Sequence, residues 1–282
     1  MAISPDGRRV AYSVEADGRS RLWIAPLDGS GSPALFEREG SFNDRPSWTP
    51  DGRSLAWLSN RSGNNEILVR SVDGQETARR ILGSEAAAVW EVSFPRAGPW
   101  MLYRAEVNSS DIYGLRPGMD TVGRAFVSSK AIERQPILSP DERWLAYISN
   151  ADGRANVYVR PFPNVDDAVW QVTTDGGVSP RWSPDGRELF YTKTTSAMIS
   201  SADGQTQTMM AVPVRAGESF AWGAAQELFQ MRGYRAAPNS WMWDVSPRDG
   251  RFLMLRHRKE AELPKLVMVE NFFTELRAKV PN

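Results

Sequence analysis

Short apolar runs alternate along the chain with clusters of glycine, proline, aspartate and serine. Residues 40–84 show the arrangement most clearly, with apolar runs at 55–58 and 67–72. Similar pairs of runs lie at residues 145–148 and 156–159, 189–191 and 209–214, and 252–255 and 266–269. Runs of this length are typical of strands, and their continuously apolar character indicates sheets that are buried on both faces.

The phrase Ser-Pro-Asp-Gly, or a variant of it, precedes an apolar run six times. Its prolines are Pro5, Pro50, Pro95, Pro140, Pro184 and Pro247, with steps of 45, 45, 45, 44 and 63 residues. A period of about 45 residues, with several short strands in each unit, is typical of the blades of a β-propeller. The repeat runs through nearly the whole chain, which favours one domain over two.

Residues 40–84 have the pattern of one four-stranded blade. Strands are predicted at residues 47–49, 55–58, 67–72 and 80–82, with tight turns at 50–52 and 73–74. In the first turn proline presets its backbone angle, aspartate bonds back to the chain, and glycine accepts positive φ. A row of such aspartates could be taken for a calcium motif, but turn chemistry explains it. The third repeat keeps its strands, although Phe-Pro-Arg-Ala-Gly replaces the turn phrase.

We therefore predict an all-β fold, a six-bladed β-propeller of four-stranded antiparallel blades, over residues 1–282. The blades are expected near residues 1–39, 40–84, 85–130, 131–174, 175–236 and 237–282. Phe272, Leu276 and Val280 lie four residues apart, which predicts a short C-terminal helical tail. With a helix there, the sixth blade would lack its outer strand, so we expect the chain to be a fragment of a longer polypeptide.

The net charge and the composition indicate which classes of binding partner to expect. Lysine plus arginine (34) equals aspartate plus glutamate (34), which favours neither nucleic acid nor an anionic membrane as a partner. No apolar stretch is long enough to insert into a membrane. The start of the chain does not resemble a signal peptide. A complete chain is therefore expected in the cytoplasm, whereas part of a longer anchored protein would be periplasmic or extracytoplasmic.

The sequence lacks the residues that several common catalytic and metal sites require. There is no cysteine and one histidine, His257, in a basic stretch that reads as a solvated turn. Zinc and iron centres of the usual kinds are therefore not expected, and we predict no catalytic residue, no metal and no cofactor. Neither Gly-x-Ser-x-Gly nor kinase motifs occur. A pair of channel carboxylates about 5–10 Å apart would instead support a hydrolase or lyase.

The best binding candidates lie in the loops that lead into the first strand of each blade, at one end of the channel. Charged and aromatic side chains there suit a peptide or protein interface. The candidates for the channel rim are Asp44, Arg45, Glu91, Glu133, Arg134, Gln135, Arg181, Trp241 and Asp244, with Asn43, Trp90, Ser179 and Trp243 beside them. The alternative is that the tryptophans pack between blades and the charges are only solvated. Trp48 and Trp182, both two residues before the turn proline, are assigned to the core.

Two insertions, at residues 194–207 and 232–241, account for the long fifth step. The first reads as a surface loop. The second is expected near the channel mouth, and loops on a rigid scaffold are where binding usually resides.

The recurring Ser-Pro-Asp-Gly-Arg-x-Leu-Ala-Tyr, followed by Asn/Glu-Ile/Val-Tyr-Val and Asp-Gly, resembles the TolB-like, WD-repeat-like β-propellers. The segment at residues 266–276 is similar to the end of propellers found at the C-terminus of bacterial membrane-anchored serine/threonine kinases. These resemblances imply an extracytoplasmic protein- or ligand-binding domain without shared catalytic residues. Similar propellers also cap peptidases of the prolyl-oligopeptidase type, whose catalytic domain is not found here.

The leading prediction is a non-catalytic binding or sensing module that recognises a protein or peptide through the channel mouth and loops. A small ligand is a possible alternative partner. A carboxylate-based hydrolase or lyase, and a peptidase cap without its catalytic domain, remain alternative functions. A further alternative is a pure scaffold that contacts other proteins by its flat faces.

Overall fold

The computed structural model describes residues 1–74, 76–83, 88–106, 109–194, 207–215, 217–234, 241–256 and 267–268. These residues form 24 β-strands and no helix, and they contain no helical segment able to cross a membrane. The helical tail expected at residues 271–280 lies outside the described residues. So do His257 and most of the two insertions.

The first three sheets are four-stranded and antiparallel, and each follows chain order or its reverse. The first contains β1 (Ala2–Ile3), β2 (Arg9–Ala16), β3 (Arg19–Pro26) and β4 (Ala34–Glu37). The second contains β5 (Asn43–Trp48), β6 (Ser54–Ser59), β7 (Glu66–Ser71) and β8 (Arg79–Gly83). The third contains β9 (Ala88–Ser93), β10 (Met101–Glu106), β11 (Ser110–Leu115) and β12 (Arg124–Val127).

The fourth sheet keeps this pattern, whereas the fifth and the last sheets depart from it. The fourth contains β13 (Glu133–Leu138), β14 (Trp144–Ser149), β15 (Asn156–Pro161) and β16 (Trp170–Gln171). The fifth contains β17 (Val178–Trp182), β18 (Glu188–Lys193), β19 (Thr208–Arg215), β20 (Ala221–Trp222) and β21 (Gln226–Gln230), with β20 and β21 both paired to β19. The last sheet contains β22 (Trp243–Val245), β23 (Phe252–Met254) and β24 (Val267–Met268).

The structure therefore has five blades of four or more strands and one three-stranded sheet, and the prediction of six four-stranded blades is wrong for the described residues. In the part of the chain that the structure describes, the last sheet ends at β24. The first strand of the chain cannot complete it, because β1 is already the innermost strand of the first blade and pairs with β2.

Hydrogen bonds in the turns confirm that their aspartates serve the backbone. Asp51 accepts bonds from the Thr49 hydroxyl (2.6 Å) and the Arg53 amide (3.0 Å). Asp6, Asp141 and Asp185 accept the equivalent pair in their own repeats. The aspartate locks the tight turn between the first two strands of a blade.

Apolar side chains fill the spaces between neighbouring sheets. Trp48 and Trp182 are buried, which confirms their assignment to the core. Their indole N–H groups donate to the carbonyls of Ala2 (3.0 Å) and Ile137 (3.4 Å), each on the innermost strand of the preceding blade. Leu253 of the three-stranded sheet packs with residues of the first blade, so the ring closes through side chains.

Bulges in the innermost strands position the polar side chains of the channel. Arg45, Gln135 and Ser179 occupy the same place in three blades and have φ of 55°, 54° and 55°. Each is followed by a proline, and the strand register shifts there. A bulge bends its strand and re-aims the neighbouring side chains. We call the end of the channel where the innermost strands begin the entrance face, and the end with the Ser-Pro-Asp-Gly turns the turn face.

Candidate functional site

A central channel runs between the five blades and the three-stranded sheet, and it contains a cavity of about 110 Å³. All the innermost strands contribute to its wall, including Ile3, Ser47, Val92, Ile137, Arg181 and Asp244. Tryptophans 48, 182 and 241 also line it, as do four of the repeat prolines. Residues from every repeat therefore meet around this cavity.

Polar contacts join each innermost strand to the next around this channel. In chain order they are Trp48 to Ala2, Arg45 to the Trp90 carbonyl, Gln135 to Glu91, Ser179 to Gln135, Arg181 to Asp244, and Ile3 to Asp244. The last contact returns to the first blade. The predicted rim residues therefore also fasten the ring together.

Glu91 is the centre of a charged cluster toward the entrance face. Its side chain is 1% exposed, and its Oε1 accepts a hydrogen bond from the Gln135 amide at 2.7 Å. The Nε of Arg104 lies 3.5 Å from the same oxygen. Arg104 also lies over the Trp90 ring, at 5.7 Å from its centroid. The charges of Glu91 and Arg104 are thus buried as a pair.

Two further arginines surround this pair. Arg45 donates to the Trp90 carbonyl, and its Nε lies 4.0 Å from Asp44. Burial lowers the pKa of Arg45 even though Glu91 and Asp44 act to raise it. Burial, with the neighbouring Arg104 charge, also lowers the pKa of Arg134. The entrance is therefore rich in guanidinium groups that are partly removed from water.

A second cluster lies deeper, between the fifth blade and the three-stranded sheet. Arg181 Nε is 3.2 Å from Asp244 Oδ1, and its guanidinium stacks on Trp241 at 4.3 Å from the ring centroid. The Ile3 amide donates to Asp244 Oδ2 at 2.8 Å. Burial lowers the pKa of Arg181 against the raising effect of Asp244. The aspartate and the indole hold the guanidinium in one orientation.

Other predicted residues serve their own blades. Glu133 accepts hydrogen bonds from Ser129 (2.7 Å) and Ser149 (3.5 Å), and burial raises its pKa. Asn43, at the equivalent place, bonds to the carbonyls of Ser20 and Glu39 and accepts from Trp57. Both are buried and tie strand ends together, rather than presenting polar groups at a rim.

The two tryptophans predicted near the channel mouth are not exposed, as aromatic side chains of a binding surface would be. Trp241 and Trp243 are both buried. Trp243 donates to the Thr192 hydroxyl at 3.2 Å and packs against Phe252. The alternative that these tryptophans pack between sheets is the one observed. Of the two, only Trp241 also lines the cavity.

Sequence reasoning missed three charged residues of the channel region: Arg96, Arg104 and Glu106. Arg104 interrupts the apolar strand β10, and a charge in such a strand is a signal that it meets a partner. Arg96 stands where four of the other repeats have their turn aspartate. Glu106 lies 3.7 Å from Arg104 and is 43% exposed at the end of β10.

The chemistry of these clusters favours recognition. The channel carboxylates Asp44, Glu91 and Asp244 each lie within ion-pair distance of an arginine. Charge-assisted pairs of this kind fix the orientation of both partners, which suits a surface that recognises another molecule. In the described part of the chain, no three acidic or histidine side chains are grouped to hold a metal ion.

No family model matches the chain. Among curated proteins, it is 26% identical to a TolB homologue of Chlorobium luteolum over 154 residues, which are 54% of this chain and 34% of that protein. It is 30% identical to the Tol-Pal system protein TolB of Bordetella pertussis over 156 residues, 53% of this chain and 34% of that protein. The matched part thus spans about a third of these relatives' length.

Solved structures show the same fold. TolB from Acinetobacter baumannii matches with a TM-score of 0.70 at 18% identity, covering 91% of this chain and 59% of that one. A putative TolB from Agrobacterium tumefaciens matches with 0.72 at 20% identity, covering 91% and 88%. The chain therefore has a TolB-like β-propeller fold. An oligogalacturonate lyase in complex with manganese also matches, with a TM-score of 0.62 at 9% identity over 96% and 89% of the two chains. The propeller fold alone does not separate enzymes from binding proteins.

Proposed function

We propose that this chain is a non-catalytic binding module that recognises a protein or peptide at the entrance face of its channel. The observation that carries the proposal is the cluster of Arg45, Glu91, Arg104 and Arg134, where partly desolvated guanidinium groups meet at the mouth of a channel. The likeness to TolB proteins supports a protein partner. The kinase-associated role and the periplasmic or extracytoplasmic location stay predictions.

Arginine and tryptophan dominate the energetics of protein interfaces when they lie in desolvated pockets. At the entrance, Arg104 is already held over Trp90 and beside Glu91. A partner that binds there therefore meets donors whose side chains are ordered before binding, so less conformational entropy is lost in the complex.

Selection from a random peptide library tests the proposal. The chain is immobilised, selected peptides are synthesised with a fluorophore, and their affinities are measured by fluorescence anisotropy. The variant Arg134→Glu reverses one charge at the entrance face. We expect it to lower the affinity for the selected peptides by about tenfold or more, which is the effect of losing one strong interface contact.

Arg187→Glu is the matched control, since it makes the same charge reversal at the turn face, where the Arg187 side chain is 82% exposed. Its affinities should stay within about twofold of the wild type, well below the 1.4 kcal/mol that changes affinity tenfold. Equal losses in the two variants, or a library that yields no binder, would refute recognition at the entrance face.

The enzyme alternatives receive no specific support from the site. Each described channel carboxylate named above has an arginine beside it, and a pair of unengaged carboxylates is what a hydrolase or lyase would need. The peptidase cap would act only with a catalytic domain in the same polypeptide.

A further inference from the structure

In the third repeat an arginine takes the place of the turn aspartate, and it lines the channel cavity. In four repeats the residue after the repeat proline is an aspartate that bonds within its own turn. In the third repeat that residue is Arg96. An arginine has no acceptor for the hydroxyl and amide of such a turn. Its side chain instead lines the channel cavity.

Arg96 has little to balance its charge. The contact found for it is a long hydrogen bond, 3.5 Å from Nη2 to the carbonyl of Val245. Among the described residues, no carboxylate lies within ion-pair distance of its guanidinium. Burial lowers its pKa, and the nearby Asp244 only partly opposes that effect. A guanidinium carries five N–H donors, so most of the donors of Arg96 are available to a ligand.

Asp244 does not serve as the missing partner, because other donors already occupy it. Its Oδ2 accepts from the Ile3 amide at 2.8 Å, and its Oδ1 accepts from the Val245 amide at 2.9 Å. Arg181 approaches the same Oδ1 at 3.2 Å. The charged side chains that line the cavity are Arg96, Arg181 and Asp244. The lining therefore carries one excess positive charge.

Arg181 adds a second oriented donor. Asp244 lies beside its Nε at 3.2 Å, and its Cζ lies over the Trp241 ring at 4.3 Å from the ring centroid. Its terminal nitrogens make no hydrogen bond to another described residue. A planar guanidinium held in this way binds a carboxylate through two parallel hydrogen bonds.

We propose that the channel cavity is a carboxylate-binding site in which Arg96 and Arg181 hold the acidic side chain or chain terminus of a bound partner. This rests on the proposed function for the source of the carboxylate, though not for the site itself. A cavity of about 110 Å³ has room for several water molecules, or for a carboxylate with a short carbon stem in their place.

Isothermal titration calorimetry at constant ionic strength tests the site with three probes. They are sodium acetate, the blocked peptide acetyl-Gly-Gly-Asp-Gly-Gly-amide, and the same peptide with asparagine in place of aspartate. We expect acetate and the aspartate peptide to bind and the asparagine peptide to bind about tenfold more weakly or not at all. Hydrogen bonds to charged groups are worth about 1.5–3 kcal/mol each, which corresponds to tenfold or more in affinity.

Two substitutions locate the binding. Arg96→Met should lower the affinity for acetate by about tenfold or more. Arg96→Lys should retain part of that affinity because it keeps the charge. Arg248→Met is the matched control, since Arg248 follows the repeat proline in the last sheet but is exposed and does not line this cavity. Arg96→Met should also raise the thermal midpoint without acetate, because it removes a poorly paired charge. A raised midpoint shows that the variant is folded.

The outcomes separate this inference from the proposed function. Acetate that fails to bind, or that binds Arg96→Met as well as the wild type, overturns the site. Acetate binding without binding of the aspartate peptide keeps the site and refutes a peptide as the source of the carboxylate. Acetate binding together with a failed library selection leaves the cavity site standing and removes the proposed function.

Discussion

Glu91→Gln is the substitution that tests the charged ring most directly. Glu91 takes the place that a proline occupies in the second, fourth and fifth repeats. Its carboxylate links the third blade to the fourth through Gln135 and neutralises the buried Arg104. Glutamine has nearly the same shape and keeps an oxygen for the Gln135 amide. The substitution therefore removes the charge while leaving the hydrogen bond available.

The expected cost follows from the burial of both partners. The side chains of Glu91 and Arg104 are 1% and 6% exposed, so solvent does little to screen the arginine once its partner is gone. Removing one member of a buried ion pair costs about 3–5 kcal/mol. A domain is stable by about 5–15 kcal/mol. We expect Glu91→Gln to remove a substantial part of the free energy of unfolding.

Urea unfolding followed by tryptophan fluorescence measures this cost. With a slope of about 3 kcal/mol/M, the midpoint should fall by about 1 M or more. Glu106→Gln is the matched control, because Glu106 lies 3.7 Å from the same arginine but is 43% exposed. Because Glu106 is exposed, water screens its charge, and we expect its removal to cost about 0–1 kcal/mol, as for a surface ion pair. Equal midpoints for the two variants would refute the reasoning that burial makes Glu91 important.

Two further predictions concern Glu142, which is partly buried, and Glu133, which is buried. Glu142 stands at φ 56° where three other repeats have a glycine, and burial raises its pKa. Glu142→Gly should raise the free energy of unfolding by about 1 kcal/mol, because a left-handed residue with a side chain is strained, and a lowered urea midpoint would contradict this. Burial also raises the pKa of Glu133. Its folded form holds the proton more tightly than the unfolded chain, so its contribution to stability is present below the unfolded pKa of about 4.3 and is lost as the pH rises through the folded pKa. Glu133→Gln should therefore gain stability relative to the wild type between pH 4 and pH 7, and urea midpoints that change in parallel would contradict this.

Most of the fold could be predicted from local sequence patterns. The turn aspartates, the apolar strands and the core positions of Trp48 and Trp182 could be predicted because each depends on neighbours in sequence or on the repeat itself. The grouping of Arg45, Glu91, Gln135, Arg181 and Asp244 around one channel also followed from aligning the repeats. Equivalent positions in a propeller face the same axis, so their spacing of about 45 residues was enough.

Only the tertiary structure decided how those residues are used. The same alignment placed Glu91 and Gln135 on a rim, yet they are buried and joined across blades, because the depth of a side chain in the channel depends on the bulges and on the packing between sheets. Arg104 joined the site through pairing between strands, which no repeat position revealed. Strand pairing also decided that the described residues form five full blades and a three-stranded sheet rather than six full blades. The sequence by itself determined which residues recur at equivalent positions. Contacts between distant repeats determined which of these residues meet, and they left Arg96 at the cavity without a carboxylate within ion-pair distance among the described residues.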